Sequence, residues 1–286
     1  MKNILITGAN GQLGNEMRLL SKEYNSYNYF FTDVQELDIT DKTVIGNFVK
    51  NNKINCIVNC AAYTAVDKAE ENPEICDKLN HLAPGFLAEA AETNQAMLIQ
   101  LSTDYVFNGM NHIPYVEEDP TCPNSVYGRT KLAGEKAVIE NCSRSVIIRT
   151  SWLYSTFGNN FVKTMMRLGK EKSQLGIVFD QIGTPTYARD LASAIFAIIE
   201  KDVTGLYHFS NEGVTSWYDF TKAIYRIAGI NTCTVKPIHT YEYPALATRP
   251  HYSVLDKTKI KKALNIEIPY WEDSLKDCIK ELLKNQ

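Results

Sequence analysis

The first fourteen residues restrict the fold most. Lys2-Asn3-Ile4-Leu5-Ile6-Thr7 reads as a short apolar strand, Gly8-Ala9-Asn10-Gly11-Gln12-Leu13-Gly14 follows at once, and a helical pattern then runs through Leu19 and Leu20. A strand that feeds a helix through a glycine turn is a phosphate-binding device. The glycines let the backbone approach a pyrophosphate, and the helix N-terminus presents free N–H groups and the positive end of its dipole. The spacing is Gly-x-x-Gly-x-x-Gly, not the Gly-x-Gly-x-x-Gly of classical dinucleotide folds. A glycine-rich turn with no ligand is the competing reading. The position at the first strand-to-helix junction favours the binding one.

The chain continues in strand–helix alternation. Tyr27 to Thr32 reads as a second strand and ends at Asp33, 19 positions past Gly14. That is close to the ~20 expected for an acid on the adenosine ribose hydroxyls. A carboxylate there favours NAD. A nearby arginine would help NADP, but Val34 follows. Asp38 and Ile39 come just before a helix over residues 42–51. Asp38 meets the adenine, or Thr40 or Asp41 caps that helix. A third strand over residues 54–59 leads into Cys60-Ala61-Ala62-Tyr63, where small residues at a strand's end leave room for a ligand. Further elements are a helix over 73–93, a strand over 96–101, a helix from Tyr127 to about Glu140 and a strand over 145–150.

This pattern predicts an α/β fold: a Rossmann-like, doubly wound parallel sheet over residues 1–150. Shorter elements over residues 151–286 predict a smaller C-terminal α/β substrate lobe, partly interleaved with the core. They are helices near 160–170, 216–227, 256–264 and 271–283, one opened by Pro185 and running through Ile199, and strands near 175–179, 205–209 and 232–238.

Tyr127 and Lys131 stand four residues apart in Tyr127-Gly128-Arg129-Thr130-Lys131. On a helix both face one side, about a turn apart. An ammonium beside a phenol favours the phenolate and lowers the tyrosine pKa. A tyrosine so tuned passes a proton to or from a carbonyl or alcohol. The spacing alone is weak evidence, since an amphipathic helix surface produces it by chance. Thr103, at the end of the fourth strand, is a candidate donor to a substrate oxygen, with an ordinary strand-end threonine as the alternative.

Composition excludes several classes. A formal net charge of −3 over 286 residues gives no reason to expect a nucleic-acid partner. No run approaches the ~20 apolar residues of a membrane span. The N-terminus enters a strand pattern directly and lacks the segments of a signal peptide. Seven cysteines, an odd number with no Cys-x-x-Cys, predict a reduced, cytoplasmic protein. Five histidines show no metal spacing with them.

Together these stretches resemble the extended short-chain dehydrogenase/reductase superfamily, over nearly the whole length. Thr7 to Gly14 looks like its cofactor loop, Tyr127 and Lys131 like its catalytic pair, and Thr103 occupies its Ser/Thr position. Leu37-Asp38-Ile39-Thr40, Asn59-Cys60-Ala61-Ala62-Tyr63-Thr64-Ala65-Val66-Asp67, Leu101-Ser102-Thr103-Asp104-Tyr105-Val106-Phe107 and Arg149-Thr150-Ser151-Trp152-Leu153-Tyr154 resemble the dTDP-4-dehydrorhamnose reductase family more closely. The resemblance implies reduction of the C4 ketone of dTDP-4-dehydro-L-rhamnose to dTDP-L-rhamnose, for surface polysaccharide, by NADH or NADPH, with NADH favoured by Asp33. It implies Gly8, Asn10, Gly11, Gln12, Leu13, Gly14, Asp33, Asp38, Ile39, Ala61, Ala62, Tyr63, Tyr127 and Lys131 about the cofactor. It implies Thr103, Asp104, Tyr105, Tyr127 and Trp152 about the nucleotide-sugar substrate. Arg249 is a candidate for the diphosphate, since a fork of donors suits phosphate; a surface salt bridge is the alternative. Some family members are magnesium-linked homodimers, and Glu16 matches one of their acids. Arg189 stands where another acid would be needed, which argues against the Mg²⁺ site. A reductase or epimerase of another nucleotide sugar and a non-catalytic regulatory subunit share this fold and stay open as alternatives.

Overall fold

The computed structural model describes residues 1–284. In chain order the elements are β1 (Lys2–Thr7), α1 (Gln12–Leu20), β2 (Tyr27–Thr32), α2 (Lys42–Asn51), β3 (Cys56–Asn59), α3 (Val66–Glu71), α4 (Pro73–Asp77), α5 (Ala83–Thr93), β4 (Met97–Thr103), α6 (Val126–Asn141), β5 (Ser145–Thr150) and β6 (Leu153–Tyr154). Then come α7 (Phe161–Glu171), β7 (Gln174–Val178), β8 (Ile182–Gly183), β9 (Thr186–Tyr187), α8 (Ala188–Lys201), β10 (Gly205–His208), β11 (Thr215–Ser216), α9 (Trp217–Ala228), β12 (Thr234–Ile238), α10 (Thr258–Leu264) and α11 (Trp271–Lys284).

Six strands form one sheet in the order β10-β5-β4-β3-β1-β2, with every neighbouring pair parallel. The strand order reverses at β1, between β2 and β3. That switch point opens a crevice at the carboxyl ends of the strands, which is where open α/β sheets bind ligands. Side chains alternate across β1. Ile4 and Ile6 pack with α1, α8 and α10, whereas Leu5 packs on the opposite face with α2 and α5. Burial on both faces explains why these strands read as continuous apolar runs.

A third apolar cluster lies beyond the sheet. Tyr154, Val162, Met166, Phe220, Ile224, Leu275 and Ile279 join α7, α9 and α11 around the two-stranded β12–β7 pair. β10 and α8 come after residue 151 yet belong to the main sheet and its core, so the two regions interleave in sequence.

Several boundaries differ from the sequence reading by a residue or two, and three differences bear on the site. β4 runs on to Thr103, because Ser102 and Thr103 keep register with Arg149 and Thr150 of β5. The helix over 73–93 is divided by a π-helical turn at Lys78–Leu82, a local widening that apolar periodicity does not reveal. Pro185 does not open α8. Thr186 and Tyr187 pair with β6 first, the Thr186 N–H donating to the Trp152 carbonyl.

α6 is tied to the sheet by a buried ion pair. Both Arg149 (Nε 2.9 Å, Nη2 2.8 Å) and Ser102 (2.5 Å) donate to the Glu135 carboxylate, and the paired side chains are 4% and 2% exposed. Removing one member strands the other charge in a low-dielectric interior. Glu135→Ala is therefore expected to lower the unfolding free energy by about 3–5 kcal/mol, read as a fall in the urea midpoint at unchanged slope. A loss under 1 kcal/mol would mean that Arg149 finds another partner.

Candidate active site

The glycine loop is shaped by close backbone approach. Gly8 sits at φ +61°, and a Cβ there would lie 2.6 Å from the Ala61 nitrogen. A Cβ on Gly14 would lie 2.5 Å from both Ala9 Cα and the Gly8 carbonyl oxygen. No side chain fits at either point, so β1, the loop and the segment after β3 press together. Gly11 begins α1 in extended conformation with no side-chain cap, leaving the first N–H groups of the helix without side-chain acceptors.

A cleft of about 340 Å³ opens beside this loop. Gly8, Gly11, Asp33, Asp38, Ile39, Ala61 and Ala62 line it, joined by Val34, Leu37, Cys60 and Leu79. Asp33 holds the loop directly: its carboxylate accepts the Asn10 N–H at 3.1 Å and the Val34 N–H at 2.8 Å. Asp38 accepts both the Thr40 N–H and hydroxyl, which hold it below the usual carboxylate range. The cap of α2 is Asp41, which accepts from Thr43 and Val44. Leu13 faces the core under α1, and Gln12 accepts from Asn160 at 3.0 Å. The Tyr63 backbone is gripped at both N–H and carbonyl by Asn80, at 2.9 and 3.0 Å. Asn80 lies in the π-helical turn and had no sequence signal. These features fit a dinucleotide: a side-chain-free turn, an uncapped helix N-terminus and a cleft flanked by carboxylates.

The second half of the site comes from β4 and α6. Thr103 ends β4, accepts the Tyr105 N–H at 3.2 Å and donates to Asp104 Oδ1 at 3.0 Å. Ser125 caps α6 by accepting the Gly128 N–H at 3.1 Å. A Cβ on Gly128 would lie 2.3 Å from the Tyr105 carbonyl oxygen, so the first turn of α6 rests on the Thr103–Tyr105 turn. This seating brings Tyr127 into hydrogen-bonding relation with Thr103 and edge-on to the Tyr105 ring, 5.5 Å between centroids. Lys131 follows one turn later, buried, its Nζ donating to the Leu101 carbonyl at 2.5 Å.

The electrostatics correct one expectation. Tyr127 is pushed well above the ordinary phenol value, by burial first, with the Thr103 hydrogen bond opposing and Asp104 adding to the rise. The ring keeps part of its surface at the crevice, so a ligand still reaches it. Lys131 does not hold this phenol down, because its ammonium turns to the Leu101 carbonyl, the acceptor that satisfies a buried charge. Burial lowers Lys131 itself to about 8, with Glu135 opposing. The resting site thus holds a protonated phenol, a proton donor rather than a phenolate.

The substrate candidates gather at the same sheet edge. Trp152 adopts φ +48°, a left-handed conformation rare for a bulky residue. Its ring stacks on Trp217 at 3.6 Å. A Cβ on Gly183 would strike both Trp152 and the Ser253 hydroxyl, so the glycine makes room for them. Asp104 is 2% exposed and is raised to about 6, mainly by burial. Arg249 donates to Asp67 at 2.6 Å and bonds the Tyr105 hydroxyl, and burial pushes Tyr105 up to about 12. Asp67 and Trp217 are neighbours that residue-by-residue reading did not single out. The distances from Asp67 to Arg249 and from Trp152 to Trp217 along the chain leave no local signal.

Glu16 is already engaged within the chain. Its fully buried carboxylate accepts from Ser155 at 2.6 Å and Arg189 at 3.3 Å, so a fixed cation already neutralises it. A second cation there would meet like-charge repulsion. Among the described residues no group of three or more His, Cys, Asp or Glu is placed to hold a metal. These residues do not fit Mg²⁺. Among the described residues, no helix is long and apolar enough to cross a membrane.

Comparison with known proteins agrees with this geometry. Residues 1–284 match the family model described as the RmlD substrate binding domain. The chain is 42% identical to a dTDP-4-dehydrorhamnose reductase of Aggregatibacter actinomycetemcomitans, covering 97% of this chain and 98% of that one. It is 40% identical to the Escherichia coli K12 enzyme of the same name, with 98% of each covered. Among solved structures, one from Clostridium acetobutylicum superposes with a TM-score of 0.95 at 44% identity, covering 98% and 99% of the two chains. One from Bacillus anthracis in complex with NADP gives 0.93 at 40%, covering 98% and 100%. A dTDP-glucose 4,6-dehydratase from the same bacterium shares the fold alone, at 18% identity and TM-score 0.83, with 100% and 98% covered.

The lowered lysine sets a pH dependence. Unfolded, Lys131 titrates near 10.5; folded, near 8. Below the folded value the chain carries the cost of a buried ammonium, and between about 8 and 10.5 that cost falls away. Wild type is expected to gain stability relative to Lys131→Met as pH rises through this window. Urea denaturation of both proteins at its two ends measures the change; a constant difference refutes the assignment.

Proposed function

The chain belongs to the dTDP-4-dehydrorhamnose reductase family, and from that premise we propose that it reduces the C4 ketone of dTDP-4-dehydro-L-rhamnose to dTDP-L-rhamnose. The reading rests most on the first turn of α6 seated on the Thr103–Tyr105 turn, which sets a protonated Tyr127 against Thr103 at the mouth of the crevice. When bound, the nicotinamide cofactor supplies the hydride. Tyr127 delivers the proton to the ketone oxygen as negative charge grows there, and Thr103 offers that oxygen a hydrogen bond. Lys131 lies one turn behind on the same face and supplies positive charge toward the phenolate that remains only when it turns from the Leu101 carbonyl. Trp152 and Asp104 bound the sugar, Arg249 faces its diphosphate, and the α7, α9 and α11 cluster forms the substrate side beyond Trp152.

The cleft beside Asp33 and Asp38 has no Lys or Arg among its lining residues. Two carboxylates suit a free ribose 2′-hydroxyl and repel a 2′-phosphate, which supports NADH as the preferred donor. The Bacillus anthracis relative was solved in complex with NADP, which makes NADPH the donor to compare with NADH. All seven cysteines are free thiols, which supports a cytoplasmic location. A magnesium-linked homodimer is no part of the proposal, because Arg189 takes the place of the cation at Glu16.

Three measurements test this reading. With dTDP-4-dehydro-L-rhamnose, nicotinamide absorbance is expected to fall with NADH faster than with NADPH and without change on adding EDTA; no turnover with either donor overturns the activity. Tyr127→Phe should lower turnover by roughly 10²–10⁴ while leaving cofactor binding intact. Asp33→Ala should weaken NADH more than NADPH in a fluorescence titration, and the reverse order would remove Asp33 from the ribose.

A further inference from the structure

Thr103 has one hydroxyl proton and two claims on it. The Tyr105 N–H already occupies one lone pair of Oγ1, at 3.2 Å, the Tyr127 hydroxyl faces the other until it turns to the ketone, and the proton goes to Asp104 Oδ1, at 3.0 Å. While that bond stands, Thr103 cannot also donate to a substrate oxygen; it can only accept. Asp104 is almost fully buried, and its Oδ2 makes no hydrogen bond of good geometry, the Ser253 hydroxyl being the group near enough to favour the carboxylate. A buried carboxylate with an unpartnered oxygen is costly to keep ionised, and such a site is where a proton is taken up.

We propose that Asp104 is a positioning residue whose protonation turns the Thr103 hydroxyl from the carboxylate to the substrate's ketone oxygen. This rests on the reductase reading above. When Asp104 carries a proton, its O–H donates to Thr103 Oγ1, and the Thr103 proton is released toward the alkoxide that forms. When Asp104 is ionised, it retains the Thr103 proton and sets a second negative charge beside that alkoxide. Both effects favour reduction with Asp104 neutral. No bond to carbon changes in this step; one proton sits on Asp104 at the start and one at the end.

The groups facing Asp104 do not cancel this behaviour. Tyr127 approaches from α6 as a neutral phenol and Tyr105 from its own turn. Ser253 offers a hydroxyl from the last long loop. The cation of that loop, Arg249, is bonded to Tyr105 and matched by Asp67. Burial leads the influences on Asp104 and holds it at about 6, within reach of ordinary assay conditions.

The test is the pH profile of kcat at saturating substrate, which reports groups in the bound complex. Wild type should lose about tenfold as pH rises through the Asp104 titration, less than the roughly 10²–10³ that deleting an oxyanion donor costs. Thr103→Ser, which keeps the hydroxyl, should show the same limb. Asp104→Asn, neutral throughout, should lose the limb, its kcat staying flat across the window whatever its plateau. A flat wild-type profile, or a limb that survives in Asp104→Asn, overturns the proposal. Carboxyl carbon NMR of Asp104 in the full-length protein needs no turnover. Thr103→Val removes the donor and should move the Asp104 midpoint upward; an unmoved midpoint overturns the proton assignment. If that midpoint moves but no nucleotide sugar is reduced, the reductase reading falls and the Thr103–Asp104 coupling stands.

Discussion

Glu135 and Arg149 form the buried ion pair on which the geometry of the site depends. It joins α6 to β5, and Ser102 extends the same contact to β4. A buried pair of this kind adds little net stability over apolar packing, but its hydrogen bonds accept only one arrangement. Two glycines enforce the same register. Gly128 admits the Tyr105 carbonyl and Gly134 admits the Asn80 carbonyl, each at a distance that no Cβ tolerates. A slip of α6 by one residue would lose the ion pair and bring side chains against both carbonyls. Tyr127, Lys131 and Glu135 recur every fourth residue, so fixing Glu135 also fixes the two residues above it.

The sheet then brings chemistry and cofactor cleft together. The strand-order reversal at β1 places the glycine loop next to the segment after β3, and Asn80 links that segment to the face of α6. The same burial that makes the interior firm sets its proton affinities. Tyr127 is raised, Lys131 is lowered and Asp104 is raised, each by desolvation first. The tyrosine is held as an acid by its surroundings, not activated by a neighbouring ammonium. Strain collects on the substrate side, where Trp152 is left-handed and stacked on Trp217 over a glycine that cannot be enlarged.

Much of this was legible in the order of residues. Ile4, Leu5 and Ile6 reported a strand buried on both faces, Gly8 to Gly14 a phosphate turn, and Asp33 an acid at the end of the next strand. The four-residue spacing of Tyr127 and Lys131 put both on one helical face, and that is where they lie. What was not legible depends on contacts between distant segments. Asn80 acts through a π-helical turn that leaves no mark in periodicity. Asp67 meets Arg249 across most of the chain, and Arg149 is a central-strand residue until Glu135 folds over it. Pro185 marked the approach to α8, but pairing with β6 took the next two residues first.

By itself, the sequence determined the parallel α/β class, the position of the glycine turn and the placing of Tyr127 and Lys131 on one helical face, because each follows from local spacing and backbone sterics. Only the tertiary structure decided the direction of the pKa shifts, the turning of Lys131 toward Leu101, the neutralising of Glu16 by Arg189 and the bond from Thr103 to Asp104. Those depend on how deeply a group is buried and which distant atom meets it, and desolvation and hydrogen bonding exist only once the chain has closed around them.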